Sequence, residues 1–176
     1  MAPSSFAIVG SAKSGGSLTE ESLLNGDIRY RDATRRDIPD IVDFQIAMAK
    51  ETEDVALNRH VCMRGVEAVF EDRGLGRYFV ADREEELVAS LLITPEWSDW
   101  RNGVVWWIQS VYVRPGHRRK GVYAGLYEHV KRIAEGNESV KGIRLYVDRT
   151  NTAAQAVYRR LGMNGEHYVV FEWMKK

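Results

Sequence analysis

The chain has 176 residues, 44% hydrophobic and 28% charged, a composition that fits a globular protein rather than a disordered one and suits one α/β domain with a real core. Its 25 Lys+Arg balance its 25 Asp+Glu, so no overall field draws nucleic acid or an anionic membrane, and any anion must be held by a local cluster. The single cysteine, Cys62, excludes a disulfide framework and a Cys-based zinc site; it reads as a small packing residue in a reducing, intracellular setting.

Residues 1–26 are small, Ser/Gly-rich and weakly hydrophobic, and read as a flexible or tag-like leader. FAIVG is too short for a signal-peptide core, and an organelle-targeting role is the minor alternative. No apolar run reaches the ~20 residues that a membrane helix needs. Residues 27–176 are expected to form a single domain. IRYRDAT (28–34) alternates as a strand, and Asp37 and Pro39 then open an amphipathic helix carrying Ile38, Ile41, Val42, Phe44, Ile46 and Met48. ETEDVALN (51–58) is an acidic connection, and 61–72 a second helix ending near Gly74. Residues 76–82 and 87–94 read as a hairpin, with the charged REEE as its turn, and 95–103 as a loop rich in turn chemistry. The β-branched, aromatic run VVWWIQSVYV (104–113) is a strand, followed by a helix from Gly121 to about Glu135. A strand at 142–148, a helix at 151–162 with Asn151 as N-cap and Gly162 past its end, and a closing strand at 166–173 complete the chain. The strand–helix–strand unit from 104 to 148 requires a parallel right-handed crossover. The expected fold is therefore α/β (α+β), a mixed central sheet with helices on both faces.

Between the long strand and the next helix stands HRRKGV (117–122). A helix N-terminus offers unpaired N–H groups and a positive dipole end. Gly121 permits a close backbone approach, and Arg118, Arg119 and Lys120 would neutralise a polyphosphate. Neither the Walker pattern nor the Gly-x-Gly-x-x-Gly fingerprint is present. A solvated basic cluster, or an anion- or nucleic-acid-binding surface at 117–120, is the alternative; zero net charge and the lack of further basic stripes argue against nucleic acid.

With VYVRP (111–115), the turn RRKGVY (118–123), and downstream Asn151, Ala154, Tyr158 and Leu161-Gly162-Met163, residues 28–173 resemble the GNAT superfamily of acyl-CoA-dependent N-acetyltransferases. The resemblance implies an acetyl-CoA cosubstrate, no metal, and direct transfer to an amine in a ternary complex. It also implies a homodimer, and the lone cysteine adds the expectation of a cytoplasmic enzyme. Its cofactor-binding positions are Val111, Val113, Arg118, Arg119, Lys120, Gly121, Val122, Tyr123, Asn151, Ala154 and Tyr158. A bulge in the long strand would leave the Val111 N–H to polarise the thioester carbonyl, and Tyr158 would be the acid that protonates the departing thiolate. Tyr123 departs from the family's small residue, so its side chain must point away from the pyrophosphate or lie over the cofactor.

An alkylammonium near pKa 10.4 costs ~4–5 kcal/mol to deprotonate at neutral pH, so a base within reach would help. Related polyamine acetyltransferases carry Glu where this chain has Gln109, which cannot take a proton. Gln109 is the candidate to orient a water, with Glu51, Glu53 or Asp54 supplying the carboxylate, and these acids have a solvated turn as their plain alternative. Strand alternation puts Trp107 on one face with Gln109 and Val111, and Trp106 on the other. Trp107 with the carboxylates suits an ammonium ligand. EWSDWRNG…WWIQSVYV is similar to the spermidine/spermine branch, although Gln109 departs from it. The four histidines show no metal spacing, and His167 is a remote alternative base. The expected function is acetylation of a small primary amine, with a protein lysine or N-terminus, or a catalytically silent acetyl-CoA-binding module, as alternatives.

Overall fold

The computed structural model describes residues 28–175; the leader at 1–26 lies outside them. Five strands form one sheet in the order β1-β2-β3-β4-β5: β1 Ile28–Asp32, β2 Arg77–Arg83, β3 Glu86–Ser98, β4 Gly103–Val113 and β5 Val140–Arg144. The first four pair antiparallel, and β5 joins β4 parallel, the crossover expected of the strand–helix–strand unit. The helices are α1 Ile38–Glu53, α2 Arg59–Glu71, α3 Val122–Glu135 and α4 Thr152–Arg160.

Each face of the sheet has its own core. On one side Ile41, Val42 and Phe44 of α1 and Val66 of α2 pack on Tyr78, Val80, Leu87 and Tyr112. On the other, Val122, Leu126 and Val130 of α3 and Ala154 and Tyr158 of α4 pack on Phe79, Leu91, Ile93, Trp106 and Ile108. The strand period of two supplies both faces, because the centres of β2 (78–81) and β3 (87–93) are apolar at nearly every position.

The start of α1 is fixed by charge. Asp82, buried in β2, accepts from Arg29 Nη2 at 2.7 Å and Arg31 Nε at 2.9 Å. Arg31 also grips Asp37 at 2.7 and 2.9 Å, and Asp37 accepts from the Thr34 N–H. Burial alone would raise the Asp37 carboxyl, but Arg31 and Thr34 overcome it and hold the group below its usual value. β1 is thereby clamped to β2 and to the helix entry at once.

Five boundaries differ from expectation, one of them β5, which runs Val140–Arg144 and stops short of the expected 148. The β2–β3 turn is only Glu84-Glu85, both in the left-handed region at φ 50° and 65°, the backbone of a tight primed hairpin. β3 runs through Pro95 to Ser98, where a loop was expected. β2 stops pairing at Ile93, so beyond it β3 is an edge, where a residue without an N–H is tolerated. Helix α1 continues through Glu53, so Glu51 and Glu53 are helical and not part of a connection. Residues 166–173 form no strand, although they alternate as one. Tyr168, Val169, Val170, Phe171 and Trp173 are exposed; a strand is stabilised by a paired edge and a packed face, and this segment has neither.

Tyr30 of β1 reaches under α3, where a Cβ on Gly125 would fall far inside contact with its ring and hydroxyl. Helix propensity favours alanine by about 1 kcal/mol, whereas overpacking against a fixed ring costs up to about 3 kcal/mol. Gly125→Ala is therefore expected to destabilise by roughly 2 kcal/mol in urea unfolding. In a Tyr30→Leu background, the same change should be neutral or stabilising.

Candidate functional site

Strand β4 carries one residue too many. Its pairing with β3 runs Ala89↔Val113 and Ser90↔Tyr112, then resumes at Leu92↔Gln109, so Ser110 and Val111 together face Leu91. Ser110 takes the left-handed backbone this needs, at φ 50°. The expected bulge is therefore present. It also corrects the expected facing of Val111. Trp107 and Gln109 share one face, but past the bulge the alternation slips by one, and Val111 turns into the core beside Trp106 and Ile108. Tyr112 takes the Gln109 face instead.

The parallel β4–β5 pair ends at Trp107↔Arg144, while β4 continues to Val113. From Ile108 onward, no strand pairs with β4 on that side among the described residues, which leaves the backbone beside Val111 and Val113 as an edge facing a crevice. The side chains of Val111 and Val113 are buried, so only their backbone can meet a ligand. At the head of the crevice the chain turns through Arg119 at φ 62° and Gly121 at φ 76°. Helix α3 then starts at Val122 with no side chain capping it, so its first N–H groups keep their donor capacity for an anion. Arg119 and Lys120 are exposed there, and Val122 is buried.

Arg118 behaves differently from its neighbours. Its Nε donates to the Val113 carbonyl at 2.8 Å, and its Nη2 to Glu51 Oε2 at 2.6 Å. Glu51 Oε1 accepts from the Tyr112 hydroxyl at 3.0 Å, and the guanidinium lies over the Tyr112 ring at 5.3 Å. The first cation of the basic turn is thus a strut to α1, not an open anion ligand. Burial, then the Glu51 carboxylate, pushes the Tyr112 phenol up and keeps it protonated. Glu53 is two residues on, facing a different direction on the helix, and does not join this group.

A second trio of the same kind lies lower on that face. Glu96 Oε2 accepts from Trp107 Nε1 at 2.6 Å and Glu96 Oε1 from Arg144 Nη1 at 2.9 Å. Arg144 lies over the rings of Trp107 and Tyr168, each at 5.8 Å, and Trp107 meets Tyr146 at 5.6 Å. Between the trios Gln109 Nε2 donates to Thr94 Oγ1 at 2.6 Å. Sequence reasoning missed Thr94, Glu96 and Arg144 as members of this face. The signal was there in principle, because extending the β3 alternation past Pro95 would have put Glu96 beside Trp107.

On the opposite side of β4, Asn151 caps α4 by accepting from the Ala154 N–H at 3.0 Å, as expected, and Ala154 is fully buried. Tyr158 is 4% exposed and Tyr123 is 5% exposed, and their rings meet edge to face at 5.7 Å. Tyr123 thus points into the core, away from the open N-terminus of α3. Burial pushes the Tyr158 phenol well up. Among the described residues no cluster of His, Cys, Asp and Glu is arranged to hold a metal, and no helix is long and apolar enough to cross a membrane.

A model of the acetyltransferase (GNAT) family matches residues 44–163. A possible acetyltransferase from Clostridium difficile 630 has a solved structure with 40% identity to this chain, covering 85% of it and 98% of its own chain at a TM-score of 0.78. Two more distant structures share the fold. One is a predicted acetyltransferase from Clostridium acetobutylicum, solved with acetyl-CoA, at 18% identity, 82% and 96% coverage and TM-score 0.65. The other is an aminoglycoside acetyltransferase from an uncultured soil metagenomic sample, in complex with sisomicin, at 13% identity, 87% and 99% coverage and TM-score 0.69. No curated protein sequence matches the chain.

The Glu51 strut can be tested without any ligand. Glu51→Gln keeps the shape and removes the charge; because the Glu51 side chain is 35% exposed, the loss of stability should be only about 1 kcal/mol. Amide hydrogen exchange at 117–121 should speed up more than in α3, since the strut ties the turn and not the helix.

Proposed function

The chain belongs to the GNAT acetyltransferase family, and from that premise we propose that it transfers the acetyl group of acetyl-CoA to the primary amine of a small molecule by direct attack in a ternary complex. The observation that carries this reading is the unpaired β4 edge opening beneath the uncapped start of α3. An extended pantetheine arm can pair with such an edge as a peptide strand would, and a diphosphate suits the helix start beside Arg119 and Lys120. The Val111 N–H, at the bulge, is the donor proposed for the thioester oxygen. Tyr158, kept neutral by burial, is the proposed donor of a proton to the leaving sulfur.

The acceptor lies on the opposite face of β4, along Tyr112, Gln109, Trp107 and Tyr146. The aromatic walls favour the apolar body of a small organic amine. Gln109 spends its amide N–H on Thr94 and keeps its carbonyl oxygen to receive an N–H of the attacking amine. It orients the nucleophile without deprotonating it. Both oxygens of Glu51 and both of Glu96 already accept hydrogen bonds, so neither carboxylate is poised as a base. The amine must then arrive neutral.

Acetyl-CoA-dependent thiol release across a panel of primary amines is the direct test. Turnover with at least one small amine supports the reading, and tight acetyl-CoA binding without turnover on any of them would make the chain a binding module. With an active amine, kcat/KM should rise about tenfold per pH unit until the amine's own pKa. A plateau near pH 7 would reveal a base on the enzyme. Replacing Arg119 and Lys120 together by alanine should weaken acetyl-CoA binding about tenfold or more at low salt, and less at high salt.

A further inference from the structure

The proposed acceptor face does not stop at Trp107. Arg144, held by Glu96 Oε1 at 2.9 Å, lies over the Trp107 ring and over that of Tyr168, each at 5.8 Å. Tyr168 comes from the chain beyond α4, which turns at Gly162 with φ 82°. It turns again where the Glu166 N–H donates to Asn164 Oδ1 at 2.9 Å. Glu96 thus fixes Trp107 through its indole N–H and Tyr168 through Arg144. Tyr168 is nevertheless 86% exposed, so its ring is held at one place while most of its surface stays open. Tyr146 meets Trp107 at 5.6 Å, and three rings therefore gather at this end of the face.

We propose that Trp107, Tyr146 and Tyr168 form a subsite for the far end of the acceptor, with Tyr168 as its specificity-determining residue. The acceptor class that follows is an elongated monoamine ending in an apolar or aromatic group. This rests on the acetyl-transfer reading. Strand rise sets the length. Along β4, from the Val111 N–H proposed for the thioester oxygen to Trp107, with the bulge taking up one residue, the distance is ~10 Å. An amine placed at the thioester carbonyl must have a body of about that reach to touch the rings.

Charge decides what that far end can be. A second ammonium needs a free carboxylate, and both oxygens of Glu96 are engaged by Trp107 and Arg144. Ring faces that already meet a guanidinium also repel a second cation. An acidic end needs an unmatched cation, and the Arg144 charge is matched by Glu96. What remains on offer is ring surface, which takes an apolar group or an aromatic ring by offset or edge-to-face contact. The neighbours of Tyr168 extend the same chemistry, because Val169, Val170 and Phe171 are exposed on the same segment and a bound apolar end gives such a surface something to cover.

Exposure makes Tyr168→Ala a mild change for the fold, and three probes separate reach from charge: propylamine, phenylbutylamine and diaminooctane. Phenylbutylamine should show kcat/KM about tenfold or more above propylamine, the worth of one or two ring contacts, and diaminooctane should fall below phenylbutylamine. Tyr168→Ala should raise KM for phenylbutylamine about tenfold, while kcat/KM for propylamine and KM for acetyl-CoA stay unchanged. A variant that affects both amines alike, or neither, or a preference for diaminooctane, would overturn the assignment with acetyl transfer intact. So would an altered sedimentation of Tyr168→Ala at unchanged amine KM, which would make the segment a contact between copies. No turnover of any primary amine would overturn the acetyl-transfer reading itself, and this assignment with it.

Discussion

A single extra residue in β4 sets the two sides of this protein against each other. Below Ser110 the strand shows Trp107 and Gln109 to one face and Trp106 and Ile108 to the other; above it, Tyr112 takes the first face while Val111 and Val113 take the second. The left-handed backbone at Ser110 costs on the order of 1 kcal/mol, and the packing of Val111 between α3 and α4 offsets it. Without the bulge, Val111 would stand among the polar groups and Tyr112 could not reach Glu51. The bulge also coincides with the stretch where β4 has lost β5 as a neighbour, so the disturbed ladder faces a crevice instead of a strand. One local irregularity thus supplies the edge, the buried anchor beside the tyrosine pair, and the change of face that brings α1 into the site.

The basic turn depends on that same change of face. Arg118 is held from two directions, by the Val113 carbonyl at the end of β4 and by Glu51 at the end of α1. Glu51 is in turn held by Tyr112, the residue that the bulge rotates into place. With Arg118 fixed, the chain turns sharply through Arg119 and Gly121, and α3 begins with its N–H groups uncapped. An anion arriving there meets a loop that is already ordered, which lowers the entropy lost on binding. Of the three successive cations, the first organises the turn and the other two remain exposed to a ligand.

Much of this was legible in the chain. The period-two runs, the helical faces, the parallel crossover and the Asn151 cap follow from local pattern, and the structure repeats them. What pattern could not carry was pairing context. Pro95 reads as a turn residue in isolation and is tolerated in β3 only because β2 has already stopped beside it. Residues 166–173 read as a strand by alternation, yet alternation says nothing about whether an edge lies alongside. Val111 was given the wrong face because strict alternation has no term for a bulge. Arg118 and Glu51, 67 residues apart, read from the sequence as a polyphosphate ligand and a candidate carboxylate base, and no local signal joins them. The ring contact of Tyr123 with Tyr158 is of the same kind, a meeting of two helices that only the packed sheet brings about.

The proposed acceptor face carries Gln109 where the related polyamine enzymes have a carboxylate. Two trios of the same composition bracket it: a glutamate, an aromatic donor and an arginine that lies over that aromatic ring. They are Glu51 with Tyr112 and Arg118, and Glu96 with Trp107 and Arg144. In each, both carboxylate oxygens are engaged and the charge is cancelled, so the strip between them presents aromatic surface and amide dipoles in place of net charge. A surface of that kind gains little from an ammonium's long-range attraction and loses little by rejecting it. On the proposed reading it discriminates through shape and the carbonyl of Gln109, and selection falls on the neutral form of the amine, the only form that can attack a thioester. The zero net charge of the whole chain is consistent with this economy: cations are free where the diphosphate is proposed to sit, and elsewhere in the site they are already paired.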